Sequence, residues 1–316
     1  MKSRIAVVAI GGNSLIKDND HQTIQDQYAA AQETCLHIAY LVQLGWNVAI
    51  THGNGPQVGF CLRRSELAAE EVPESPLHIC GAETQGQIGY MLQQILHGEF
   101  QQRGFPQHVV TVVTQVVVDK NDPAFTDPTK PIGSYMDEKT AKRRVAEGWQ
   151  VREVEKGCWR RVVPSPKPVR IVEEPVITRL LKDGFVVITA GGGGIPVVED
   201  KDGCLEGVAA VIDKDRVSAL LGNALGARLL LISTKVDKVY INYGKPDQKA
   251  IDVMNVSTAR RYLKEGHFGA GSMKPKIESA ITFLEKGGKQ AIITSPEKLT
   301  DALISKAGTK IVPDSH

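Results

Sequence analysis

Six strand-sized apolar runs, at residues 5–10, 46–51, 109–118, 185–190, 228–233 and 290–294, punctuate the chain and are nearly unbroken by polar residues. A strand such as Phe185-Val186-Val187-Ile188 must be covered on both faces, and a parallel sheet with helices on each side does this. The intervening stretches supply the helices. Tyr28, Ala31, Cys35, Ile38 and Val42 recur at steps of three and four, and Ile88, Met91, Ile95 and Leu96 follow a similar spacing. The expected fold class is α/β, a three-layer αβα sandwich with a mainly parallel central sheet and a small protruding subdomain. That subdomain is expected at 119–165, a stretch rich in Pro and charge with a helical piece near 137–147 and strand-like pieces at 149–155 and 158–163. Residues 1–118 and 166–316 then form one α/β domain around the insertion.

Charge excludes some classes of partner. Thirty-eight Lys and Arg against 36 Asp and Glu leave a net charge of +2, too weak a field to draw nucleic acid or an anionic membrane. No apolar run approaches the ~18 residues of a membrane span. The first four residues lead directly into the first strand without a leader pattern, so the expected location is cytoplasmic. The five cysteines are widely spaced and lack a C-x-x-C pair, which indicates buried free thiols and no zinc site.

In an open α/β sheet, ligands collect at the carboxyl ends of strands. Gly11-Gly12-Asn13-Ser14 follows the first run, His52-Gly53-Asn54-Gly55-Pro56-Gln57 the second, and Gly191-Gly192-Gly193-Gly194 the fourth. Glycine lets backbone N–H groups approach a phosphate with no Cβ in the way. Pro56 suits a first helical position, with free amides pointing into the loop before it. Any one of these clusters reads as a tight turn; three at strand ends point to an anion site. It is not a common nucleotide motif. Neither Gly244-Lys245 nor Gly288-Lys289 is followed by Ser or Thr, and Gly53-x-Gly55-x-x-x-Gly59 misses the dinucleotide spacing by one residue.

Lys214 and Lys276 each fall in the opening turn of a predicted helix, where a cation opposes the helix dipole. An anion in the site would reverse that sign, although a lone lysine of this kind reads as surface. Lys130, between Thr129 and Pro131, lies on a loop stiffened by Pro128 and Pro131 and by itself reads as solvated. His52 is the one histidine at a strand end, and it reads as structural. No metal-ligand spacing is present. Asp213 and Asp215 flank Lys214 and could help a Mg²⁺ held by nucleotide phosphates, and Asp213 reads equally as an N-cap.

The runs 9–14, 51–59, 84–90, 127–133, 190–196, 211–215 and 271–276 together resemble the carbamate kinases of the amino acid kinase superfamily, in order and along nearly the whole chain. The resemblance implies a homodimer that transfers phosphate between carbamoyl phosphate and ADP, giving ATP and carbamate, with Mg²⁺ accompanying the nucleotide. Gly11, Gly12 and Asn13 would hold the transferred group, with Gly53 and Asn54 beside it. Lys214 and Lys276 would neutralise phosphoryl charge, Asp215 would orient them, and Lys130 would reach in from the subdomain. Gly192, Gly193, Lys214, Asp237, Met273 and Lys276 would face the nucleotide. Three positions depart from the family: Ser14 where Ala is usual, Lys235 where the wider superfamily often has an acid, and Lys274 as a second cation beside Lys276. Two alternatives stand beside this reading. One is a related kinase of another small carboxylate or carbamate, the other a non-catalytic regulator that binds nucleotide or carbamoyl phosphate.

Overall fold

The computed structural model describes residues 4–16, 18, 20–269, 273–304 and 306–314, without the side chain of Asn13. Its centre is an eight-stranded sheet. Across it, from one edge, run Val253–Asn255, Thr309–Val312, Gln290–Thr294, Leu229–Ser233, Ile5–Ile10, Asn47–His52, Val186–Ile188 and Val109–Thr111. Every neighbouring pair is parallel except Gln290–Thr294 with Thr309–Val312. The parallel middle aligns the ends of four strands at Ile10, His52, Ile188 and Ser233.

The alternation of side chains along these strands sorts the interior into two cores. Val7, Ala9, Ala49, Val187, Leu230 and Ile232 face one side, where they meet Ile177, Leu181, Val217, Leu221 and Ile277. Ala6, Val8, Ile10, Val48, Ile50 and Leu231 face the other, against Cys35, Ile38, Ile88 and Leu92. Helices Glu174–Lys182, Lys214–Ala224 and Met273–Glu285 therefore cover one face, and Ile24–Gln43 and Leu77–Arg103 the other. Three layers result, as both-face coverage of apolar strands requires.

One expected strand is two. The run 109–118 divides into Val109–Thr111 in the central sheet and Gln115–Val118 in a separate four-stranded sheet with Leu205–Gly207, Ile195–Glu199 and Pro168–Ile171. The break falls at Thr114, whose backbone is taken over by a side chain: Gln85 Nε2 donates to Thr114 O at 3.0 Å, and Gln85 Oε1 accepts from Thr114 N at 2.8 Å.

A third sheet is formed by Lys130–Met136, Cys158–Val163 and Val151–Glu155, with helix Glu138–Ala146 between the first strand and the last. It rests on helix Gly55–Leu67. A Cβ on Gly59 would run into the Gly133 backbone, so only glycine permits this approach. Ile132 and Val163 pack there against Val58, Cys61, Leu77 and Cys80, and Arg161 pairs with Glu66. Among the described residues, no helix is long and apolar enough to cross a membrane.

Candidate active site

Three glycine-bearing loops lie side by side at the carboxyl edge of the sheet because the strands before them are neighbours. Gly53 N donates to Ile10 O at 3.0 Å, and Thr189 N donates to Ile50 O at 2.8 Å. The loops are in close contact. A Cβ on Gly53 would lie 3.3 Å from Gly12 N and 3.7 Å from Lys214 Cδ, and one on Gly11 would lie 2.6 Å from Ser233 O. A Cβ on Gly192 would strike the Asn54 amide, and one on Gly193 the Ile212 carbonyl; both glycines also have positive φ.

Buried side chains hold this edge in shape. Gln85 Nε2 also donates to Gly191 O at 3.1 Å, tying the third loop to the sheet break. Ala190 adopts φ +48°, unusual for a residue with a Cβ, and its N–H donates to Thr114 Oγ1 at 3.0 Å. Asn54 Nδ2 donates to Thr84 Oγ1 at 2.9 Å. Ser14 and Ser233 join through their hydroxyls at 3.0 Å, so the departure at position 14 is absorbed inside the protein. His52 is buried, and its Nδ1 donates to Gly53 O at 3.1 Å. Burial, with Lys214 nearby, pushes its pKa down to about 4 against that bond, so the ring is neutral at pH 7.

The charged groups come from three separate elements. Lys214 is the first residue of Lys214–Ala224, and Lys276 lies in the first turn of Met273–Glu285. These helices pack side by side, close enough that Gly222 abuts Phe283. Their lysines converge on one carboxylate: Lys214 Nζ donates to Asp215 Oδ1 at 2.5 Å and Lys276 Nζ to Asp215 Oδ2 at 2.9 Å. The side chains are only 11%, 14% and 4% exposed for Lys214, Lys276 and Asp215, which excludes the surface-lysine alternative. Ser218 Oγ donates to Lys214 O at 2.6 Å and meets Thr51 Oγ1 at 2.6 Å, linking this helix start to the strand end.

Lys130, at the start of the third sheet, donates from Nζ to Asp213 Oδ2 at 2.6 Å. Asp213 also caps the helix, its Oδ1 accepting from Asp215 N at 3.0 Å and Arg216 N at 3.3 Å. The N-cap reading of Asp213 thus holds through one oxygen, while the other is taken by Lys130. The sequence did not reveal its partner, 83 residues away.

Electrostatics follow from burial and pairing. Burial would raise both carboxyls, but Lys130 beside Asp213, and Lys214 with Lys276 beside Asp215, outweigh it and hold both below the ordinary Asp value. Burial lowers the Lys214 pKa against the pull of Asp215, whereas Asp215 overcomes burial at Lys276 and raises it. Three ammoniums against two carboxylates leave one positive charge in a nearly enclosed cluster. An anion beside two helix N-termini and three glycine loops would be stabilised there.

The structure thus brings together Gly11, Gly12, Gly53, Asn54, Gly192, Gly193, Lys130, Lys214, Asp215 and Lys276. Asp237 is exposed and accepts from the Tyr240 hydroxyl at 2.8 Å, and Met273 opens its helix against the core; neither makes a described bond to the charged cluster. Lys274 is half exposed, 4.0 Å from Glu278. Gly271 and Ser272 lie outside the described residues. Gln85, Thr114 and Ser218 went unassigned on sequence. Only Gln85, inside the run 84–90, carried a signal.

The model of the amino acid kinase family matches residues 4–295. The chain is 49% identical over 312 residues to the carbamate kinase-like protein YahI of Escherichia coli strain K12, covering 98% of each. It is 46% identical over 310 residues to the carbamate kinase of Thermococcus kodakarensis, covering 97% of this chain and 98% of that one. Among solved structures it is similar to the carbamate kinase from Giardia lamblia bound to AMP-PNP, with a TM-score of 0.90, 41% identity and 99% of both chains covered.

Proposed function

The chain belongs to the amino acid kinase family and, within it, to the carbamate kinases, and we propose that it transfers a phosphoryl group from carbamoyl phosphate to ADP, yielding ATP and carbamate. The observation that carries this reading is the single Asp215 carboxylate shared by two buried lysines on two helices, beside the glycine loops. Such a group supplies fixed positive charge and very little else, and phosphoryl transfer demands little else.

In the forward direction an oxygen of the ADP β-phosphate attacks phosphorus. The bond from phosphorus to the carbamate oxygen breaks, and its electron pair leaves with carbamate. Attacking and leaving groups are both anions, so no proton moves and no general base is needed. The neutral, buried His52 is consistent with that. Gly11, Gly12 and Asn13 hold the transferred group, with Gly53 and Asn54 beside it. Lys214 and Lys276 neutralise charge on its oxygens, Asp215 fixes their separation, and Lys130 addresses carbamoyl phosphate. Gly192, Gly193, Asp237 and Met273 line the nucleotide side.

Magnesium enters this scheme as part of the nucleotide substrate. Asp213 and Asp215 are both engaged by lysines, and no group of three His, Cys, Asp or Glu among the described residues could hold a metal ion. Phosphate oxygens would carry the ion. The protruding subdomain at 119–165, the homodimer and a cytoplasmic location belong to the same proposal.

The test is ATP formation from MgADP and carbamoyl phosphate in a coupled assay. Wild type should turn over, and Lys214→Ala should lose roughly a hundred-fold or more in kcat, the scale of removing one preorganised charge donor. An inactive wild type that still binds ADP would reject the substrate and favour a related kinase or a nucleotide-binding regulator.

A further inference from the structure

The two aspartates divide three lysines between them, and their second roles differ. Asp215 spends both oxygens on Lys214 and Lys276. Asp213 spends one oxygen on the helix start that carries Lys214 and Asp215, and the other on Lys130 from a different sheet. It is the one described carboxylate bonded both to the third sheet's lysine and to that helix start. We infer that Asp213 is a positioning residue, which aims the Lys130 ammonium at the phosphoryl site and fixes the third sheet relative to the Lys214 helix.

The chemistry of the bond supports an aiming role. A lysine ammonium has three donors, and Asp213 takes one at 2.6 Å, leaving two for an anionic ligand. Without that anchor, a flexible four-carbon stem 30% exposed to solvent would spread over many rotamers. The capping oxygen is a separate function. Asn retains it, since Asn and Asp cap helices about equally well, so Asp213→Asn removes the charge while keeping the helix start.

This inference rests on the proposed phosphoryl transfer, and two measurements separate their failures. The first is independent of turnover: reductive methylation of Lys130 in the ligand-free protein, followed by peptide mass spectrometry. Lys130 should be labelled several-fold faster in Asp213→Asn than in wild type, and equal rates overturn the inference whether or not the enzyme is active. The second is a double-mutant cycle on kcat/KM for carbamoyl phosphate, with wild-type turnover as the entry condition. Asp213→Asn should lose roughly ten- to a hundred-fold, the size of one charge-assisted hydrogen bond. In a Lys130→Ala background the same substitution should change kcat/KM less than two-fold. An equal loss in both backgrounds would mean that Asp213 acts only through the helix, and the inference would fail.

Discussion

His52 shows how burial decides the role of a residue that chemistry would otherwise recruit. Its ring is enclosed between Gly53 and Gly191, and its pKa falls from an ordinary 6.5 to about 4. In the unfolded chain the ring takes up a proton as pH drops below 6.5, whereas in the folded protein it resists until about 4. The unfolded state therefore binds more protons in that window, and stability falls as pH is lowered. The cost is about 3 kcal/mol, complete below pH 4 and absent above pH 7. Urea midpoints between pH 7 and pH 4 should therefore drop more steeply for wild type than for His52→Gln, which has no proton to gain. Parallel slopes would mean that the ring is protonated in the folded protein. Legibility at this scale depended on distance along the chain. Lys214 and Asp215 are adjacent, and their relation was implied by the resemblance that the run 211–215 helps to carry. Lys130 and Asp213 lie 83 residues apart, and no local spacing announces a pair made where a sheet meets a helix start.

The contact that matters most among elements is where helix Gly55–Leu67 meets strand Lys130–Met136 at Gly59 and Gly133. The same strand carries Lys130, so its distance from the helix sets the reach of the ammonium. Gly59→Ala would force the two backbones apart, costing about 1–3 kcal/mol as an overpacked contact does, and would draw Lys130 away from Asp213. Gly98→Ala, in an open stretch of helix Leu77–Arg103, is the matched control and should stabilise by about 0.5–1 kcal/mol. Guanidinium titrations with kcat/KM on both variants give the comparison. Gly59→Ala with undiminished activity would detach Lys130 placement from this contact. The elements that sequence reading captured are the long apolar strands and the helices with regular spacing, because hydrophobic period reports burial directly. It missed the split at Thr114, since Gln85 ends that strand from another part of the chain. It also missed Val253–Asn255, Thr309–Val312 and Leu205–Gly207, which are too short to show a period and are set by the partners beside them.

Taken whole, the molecule is nearly neutral but concentrates unbalanced charge at one edge of its sheet. Net charge is +2, yet three lysines and two aspartates are gathered where four parallel strands end and two helices begin. The excess cation there is a cost that folding carries until an anion arrives, since buried like charges repel and helix starts are themselves positive. Ligand binding should therefore stabilise the whole fold by mass action and also relieve that local repulsion. MgADP at a hundred times its Kd should contribute about 2.7 kcal/mol to wild type, seen as a rise in Tm of roughly 4 °C for a chain of this size. Lys276→Ala removes one of the two cations that Asp215 orients, and if Lys276 meets the nucleotide's phosphates its shift at the same MgADP concentration should fall by half or more. Calorimetric scans with and without MgADP on both proteins decide this. A shift as large in the variant as in wild type would separate Lys276 from the phosphates and leave it as a partner of Asp215 alone.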